Sequence, residues 1–111
     1  MNHQQKECLK VLGCCYLKNR KNDKAIALFR ALTALFPGEP ELAAALAQAH
    51  LQKGDFDPAL HLAEDLVRRG GPTRPAAYLL AAKAHWGLGR REPARTCFRQ
   101  ALALGGLLHE H

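Results

Sequence analysis

The sequence lacks a long apolar run. Its longest, Ala76 to Ala82, falls far short of the roughly 20 residues that span a bilayer, which argues against direct membrane insertion. The N-terminus, Met1-Asn2-His3-Gln4-Gln5-Lys6-Glu7, has no secretory leader pattern, so the chain is expected to be cytoplasmic and soluble. No segment alternates apolar and polar residues as a half-buried strand does. No Cys-x-x-Cys pair is present, so neither a zinc nor a dithiol site of that type is expected. Cys8 and Cys15, seven residues apart on one helix, would sit about 10.5 Å apart along its axis, too far for a disulfide. Cys14 and Cys15 are neighbours and point to different faces. Cys8, Cys14, Cys15 and Cys97 therefore read as small apolar helix residues, kept reduced.

Chemistry is missing as well. Glu64 and Asp65 are consecutive on a helix, about 100° apart, and do not converge on a substrate. No glycine loop is built to cradle a phosphate. His50 and His85 have no further ligand in register with them, and a zinc ion needs more; packing is the better reading. His109 and His111 fall in a tail expected to fray. The expectation is a chain with no enzyme activity, no catalytic residues, no metal site and no cofactor.

What is present is a repeat. Ala25, Ala59 and Ala94 mark three copies of one pattern, spaced by 34 and 35 residues. In the first, Leu9, Leu12, Gly13, Tyr16, Ala25, Phe29, Leu32 and Pro37 stand where the tetratricopeptide consensus has Trp, Leu, Gly, Tyr, Ala, Phe, Ala and Pro. The second keeps Leu46, Ala47, His50, Ala59 and Leu66, with Ala63 in the aromatic position. The third reads Tyr78, Ala81, Ala82, His85, Ala94, Phe98 and Ala101. The chain resembles a tetratricopeptide-repeat protein over about residues 6 to 106. The fold class is all-α: one domain over residues 1–111, six antiparallel helices in a short right-handed solenoid, with repeats at about 6–39, 40–74 and 75–108. Helices are expected at about 4–18, 23–35, 40–52, 56–69, 75–87 and 91–104. Gly54 and Gly89 suit the left-handed position past a helix end. Pro58 and Pro93 suit a first turn. Gly70-Gly71 and Gly105-Gly106 read as breakers between and after repeats.

Stacked repeats of this kind hold other polypeptides in a curved groove. In this family the first helix of each unit lines that groove. The expected protein-binding positions are Val11, Cys14, Leu17 and Lys18 in the first repeat, Ala44, Ala45, Gln48, Leu51 and Gln52 in the second, and Leu79, Leu80, Lys83 and Trp86 in the third. Val11, Leu17, Leu51, Leu79, Leu80 and Trp86 read as surplus apolar surface, with Trp86 the best anchor. The alternative is a groove closed on itself or on a second copy. Some chaperone cofactors of this fold clamp an acidic C-terminal peptide. Lys10 fits that set, but Cys14, Ala45, Ala76 and Leu80 fill its other positions, so an apolar segment is the expected ligand.

Charge is uneven. The chain carries a net +6, and residues 66–99 hold Arg68, Arg69, Arg74, Lys83, Arg90, Arg91, Arg95 and Arg99 against Glu92 alone. An acidic protein partner or a solvated outer face fits this excess. Nucleic acid fits less well, because no aromatic residues interleave with the arginines. An uncovered apolar edge is also expected on the last helix pair, near Ala94, Phe98, Ala101, Leu102 and Leu104.

This layout resembles the small chaperones of bacterial type III secretion. By length and pattern it is similar to the YscY family, in Leu12-Gly13-Cys14-Cys15-Tyr16-Leu17, in Ala27 to Pro37 and in Ala94 to Leu102. That resemblance implies a non-enzymatic chaperone that binds a small secreted YscX-like substrate as a heterodimer. It also implies docking on the cytoplasmic domain of the export gate, at the periphery of the secretion apparatus. Chaperones of the translocators and of the needle subunit compete, as does a general protein scaffold.

Overall fold

A computed structural model describes residues 2–109, with side chains placed to residue 105; His111 lies outside the described residues. The described chain forms six helices: α1 (His3–Lys18), α2 (Asn22–Leu35), α3 (Pro40–Lys53), α4 (Phe56–Arg69), α5 (Arg74–Gly87) and α6 (Arg91–His109). The order is the one the repeat dictates. Asn2 opens α1 with a capping box: its side chain accepts from the Gln5 N–H at 2.8 Å, and its own N–H donates to Gln5 Oε1 at 3.1 Å. Pro40 opens α3, where a missing N–H costs nothing.

The turn inside each repeat is the same structure three times. Lys21 N donates to Tyr16 O at 2.8 Å, Asp55 N to His50 O at 2.9 Å, and Arg90 N to His85 O at 2.9 Å. The residue before each donor has a positive φ: Arg20 at 59°, Gly54 at 90° and Gly89 at 78°. The turn therefore demands a left-handed residue, and glycine meets that demand in the last two repeats but not the first.

Each helix packs on the next in sequence. In addition α1 touches α3 and α3 touches α5, whereas no second helix of a repeat touches another among the described residues. First helices thus form an inner layer and second helices an outer one. The core forms in clusters along the stack. Phe29 of α2 joins Leu42, Leu46 and Ala49 of α3; Ala59, Leu60 and Ala63 of α4 join Leu80, Ala81 and Ala84 of α5. A Cβ on Gly13 would collide with the Phe29 ring, so the glycine there is a socket for an aromatic. The molecule measures 40 × 33 × 23 Å and exposes 6837 Å². A compact chain of this size exposes about 6,100 Å²; the excess reflects stacking in one direction.

One expectation about the breakers is corrected. Gly105-Gly106 does not end α6, which runs through it to His109. Gly70 and Gly71 do break the chain, with φ of 74° and 83°, because Pro72 follows them; Leu107-Leu108 follow the later pair and can continue a helix. Cys8, Cys14 and Cys15 are exposed and only Cys97 is half-buried. Among the described residues α1 packs only on α2 and α3, and Gly13 is its one fully buried residue.

Candidate partner-binding surface

Position within the repeat decides what each inner-layer side chain meets. Cys14, Gln48 and Lys83 are equivalent; Cys14 and Lys83 are exposed and Gln48 is half-buried. Ala44 is half-buried and Leu79, its counterpart, is exposed. Gln52 is half-buried near the end of α3 and Lys18 exposed at the end of α1. These residues lie on the inner layer.

Two other positions face neighbouring repeats. Val11, Ala45 and Leu80 are equivalent, and they go from exposed through half-buried to buried. Leu80 is 7% exposed and belongs to the core between α4 and α5, so the expectation of surplus surface there is wrong. Each of these side chains turns toward the preceding repeat, and among the described residues α1 has none to meet. Leu17, Leu51 and Trp86 run the other way. Leu17 packs on the α2–α3 core and Leu51 on the α4–α5 core, because each turns toward the following repeat. Neither is free apolar surface as expected. Trp86 has no such neighbour among the described residues and is 63% exposed.

The bare apolar surface therefore collects at the ends of the stack rather than along its whole length. The larger part lies on α5 and α6. A groove of about 390 Å³ runs between Leu79, Ala82, Lys83 and Trp86 on one side and Ala94, Arg95 and Phe98 on the other. It continues past Leu79 and Phe98 to Ala101, Leu102 and Gly105. Its walls are almost wholly apolar; Lys83 and Arg95 stand among them, and the Arg91 guanidinium lies 6.0 Å from the Trp86 ring centroid. Leu102 is exposed, as the reading of an uncovered last edge expects. Arg91 and Arg95 read in the sequence only as part of the basic excess; their place beside the groove was not read, although their spacing from Trp86 and Phe98 could have shown it.

Electrostatics separate the two ends. On the α1 side Glu39, at the head of α3, pairs with Lys6 and lies 3.9 Å from Lys10. The hydrogen bond from Lys6 holds the Glu39 carboxyl below the usual carboxylate range, and Glu7 raises the Lys10 ammonium. Lys10, the one residue fitting a peptide-carboxylate clamp, is thus engaged within the chain. On the α6 side Glu92 bonds Arg95 at 3.0 Å, and Lys83, Arg90, Arg91 and Arg99 make no ion pair among the described residues. His50 lies 3.6 Å from Asp55, and the Nδ1 atoms of His50 and His85 are buried without a hydrogen-bond partner, as tyrosine substitutes inside a packed turn. No group of three His, Cys, Asp or Glu converges as a metal site among the described residues, and no described helix is long and apolar enough to cross a membrane.

No curated protein sequence matches the chain. Eleven solved chains match its structure. One is PcrH, in a crystal structure in complex with the chaperone binding region of PopB: TM-score 0.90, 25% sequence identity, covering 99% of this chain and 90% of that one. Tetratricopeptide repeat profiles match residues 11–75, more than half of the chain, and residues 75–104. Three stacked helical hairpins, each closed by the same turn, and repeat profiles that match residues 11–75 and 75–104 place this chain in the tetratricopeptide repeat family.

Proposed function

We propose that this chain is a non-enzymatic chaperone of bacterial type III secretion that holds an apolar segment of a secreted protein until export. The observation that carries this reading is the uncovered apolar surface around Leu79 and Trp86 on the inner layer, in a fold similar to PcrH bound to part of PopB. Exposed surface of that kind marks a binding site. The contact surface is the inner face, Cys14, Lys18, Ala44, Gln48, Leu79 and Lys83, with the exposed Val11 and Trp86 at its two ends and Leu17, Ala45, Leu51 and Leu80 holding the layers beneath it. The cargo is a small YscX-like protein in a heterodimer, and the pair meets the export gate from the cytoplasm. The likeness to PcrH favours a second reading, a PopB-like translocator as cargo.

Co-expression tests both. The chain is produced with a YscX-type substrate or a PopB-type segment, and complexes are separated by size. One 1:1 complex is expected, with the free chain poorly behaved alone. Trp86→Ala should weaken it by about 2 kcal/mol, near 30-fold. A chain that stays monomeric beside both cargoes overturns the proposal.

A further inference from the structure

The stack carries an internal template for what should cover its last repeat. Phe29, Ala63 and Phe98 are equivalent positions on α2, α4 and α6. Phe29 is 1% exposed and Ala63 0%, whereas Phe98 is 48% exposed. The difference lies in what comes next. Helix α3 covers α2 with Leu42, Leu46 and Ala49. Helix α5 covers α4 with Ala77, Ala81 and Ala84. The two sets share one spacing, i, i+4 and i+7, which is the stripe of an amphipathic helix. Over α6 no described element takes that place. The groove between Trp86 and Phe98, running on to Leu102, is the empty seat.

We propose that this seat takes a helix from the partner protein, docked where a seventh helix would lie and parallel to α5. The proposal rests on the partner-binding reading above and extends its contact surface, through the shared Leu79, Lys83 and Trp86, onto α6 at the end of the stack. Charge identifies the occupant. Lys83 and Arg95 line the seat, Arg91 lies over the Trp86 ring, and the nearby Glu92 is bonded to Arg95. The helix therefore brings large apolar residues at i, i+4 and i+7 with Asp or Glu on its flanks. A second copy of this chain is a poor occupant, because two such end faces bring like charges together.

The chain has one tryptophan, and it lines this seat, so its emission reports occupancy there, while changes at Phe98 and Leu102 on α6 separate the cover from contact on the inner face. The probe is a synthetic helical peptide of about four turns with Leu at the stripe positions and Glu on both flanks; a second has Lys for Glu. Under reducing conditions the Glu peptide should shift Trp86 emission to the blue with saturation. The Lys peptide should bind at least tenfold more weakly, and so should the Glu peptide on Phe98→Asp or Leu102→Asp. Both sites are exposed, so the variants should keep their helical content; Arg95→Glu, which reverses a charge while leaving Leu79, Trp86 and Phe98 in place, should also weaken binding. No saturable shift, or equal binding of both peptides, overturns the proposal. So does a blue shift of the chain alone that rises with concentration alongside a dimer. A cargo complex that forms on the inner face yet is unchanged by Phe98→Asp and Leu102→Asp overturns this inference and leaves the chaperone reading standing. If no cargo complex forms, the chaperone reading fails and the peptide titration still decides the end site.

Discussion

One position in the turn and one in the core say most about single residues here. Arg20 holds the left-handed conformation that Gly54 and Gly89 hold in the other repeats. A side chain there is strained, so Arg20→Gly is expected to stabilise the fold by about 0.5–1 kcal/mol, raising the thermal midpoint by a few degrees; an unchanged or lower midpoint would show that the strain is absorbed. The core pair is Gly13 and Phe29, whose equivalents are Ala47 and Ala63, then Ala82 and Phe98. Glycine faces an aromatic in the first repeat and alanine faces alanine in the second. Gly13→Ala should cost about 1–3 kcal/mol by overpacking. With Phe29→Ala already in place, the same change should cost much less, and a double-mutant cycle by denaturant unfolding measures that coupling. Additive losses would show that the ring does not seat on Gly13. The aromatic position and the small residue were both legible in the sequence. The demand at Arg20 was not, because arginine carries no turn signal; only laying it over Gly54 and Gly89 exposes it.

At the scale of helices, the ends of α1 to α6 were legible to within a residue or two except at the end of α6, since caps and breakers act locally. Burial was less so. Leu80 and Leu51 have the composition of groove residues, but their exposure depends on which neighbour the helix meets, which spacing within one helix does not reveal. The α1–α3 contact has its own lever, the Lys6–Glu39 pair. Because the native Glu39 carboxyl is held low, its contribution is present above the unfolded value of about 4.3 and lost as pH falls through the native one. Acid should thus loosen α1 first. Glu39→Gln should lose less melting temperature than the unaltered chain between about pH 7 and about pH 3; equal losses would remove this pair from the account. At the other extreme Lys53, raised by Asp23 at 2.8 Å, ties α3 to α2 until the pH passes its raised native value.

For the whole molecule, a stack whose units touch only neighbours unfolds from its ends. The core clusters run from α2 to α5, while α1 buries one residue fully and the α6 face is bare. Amide exchange should therefore be slowest in α3 and α4 and fastest in α1 and α6. Uniform protection across all six helices would mean a single cooperative unit. The solenoid and its inner layer were legible because period and composition act over the entire chain. The concentration of bare apolar surface at the ends was only partly so, since it depends on the absence of a neighbour.

The unpaired thiols of α1 have a practical consequence. Cys8, Cys14 and Cys15 sit in water at the opposite end of the stack from α6, while burial raises the Cys97 thiol and dulls it. In air, two molecules can cross-link through α1 and migrate as a covalent pair that has nothing to do with recognition.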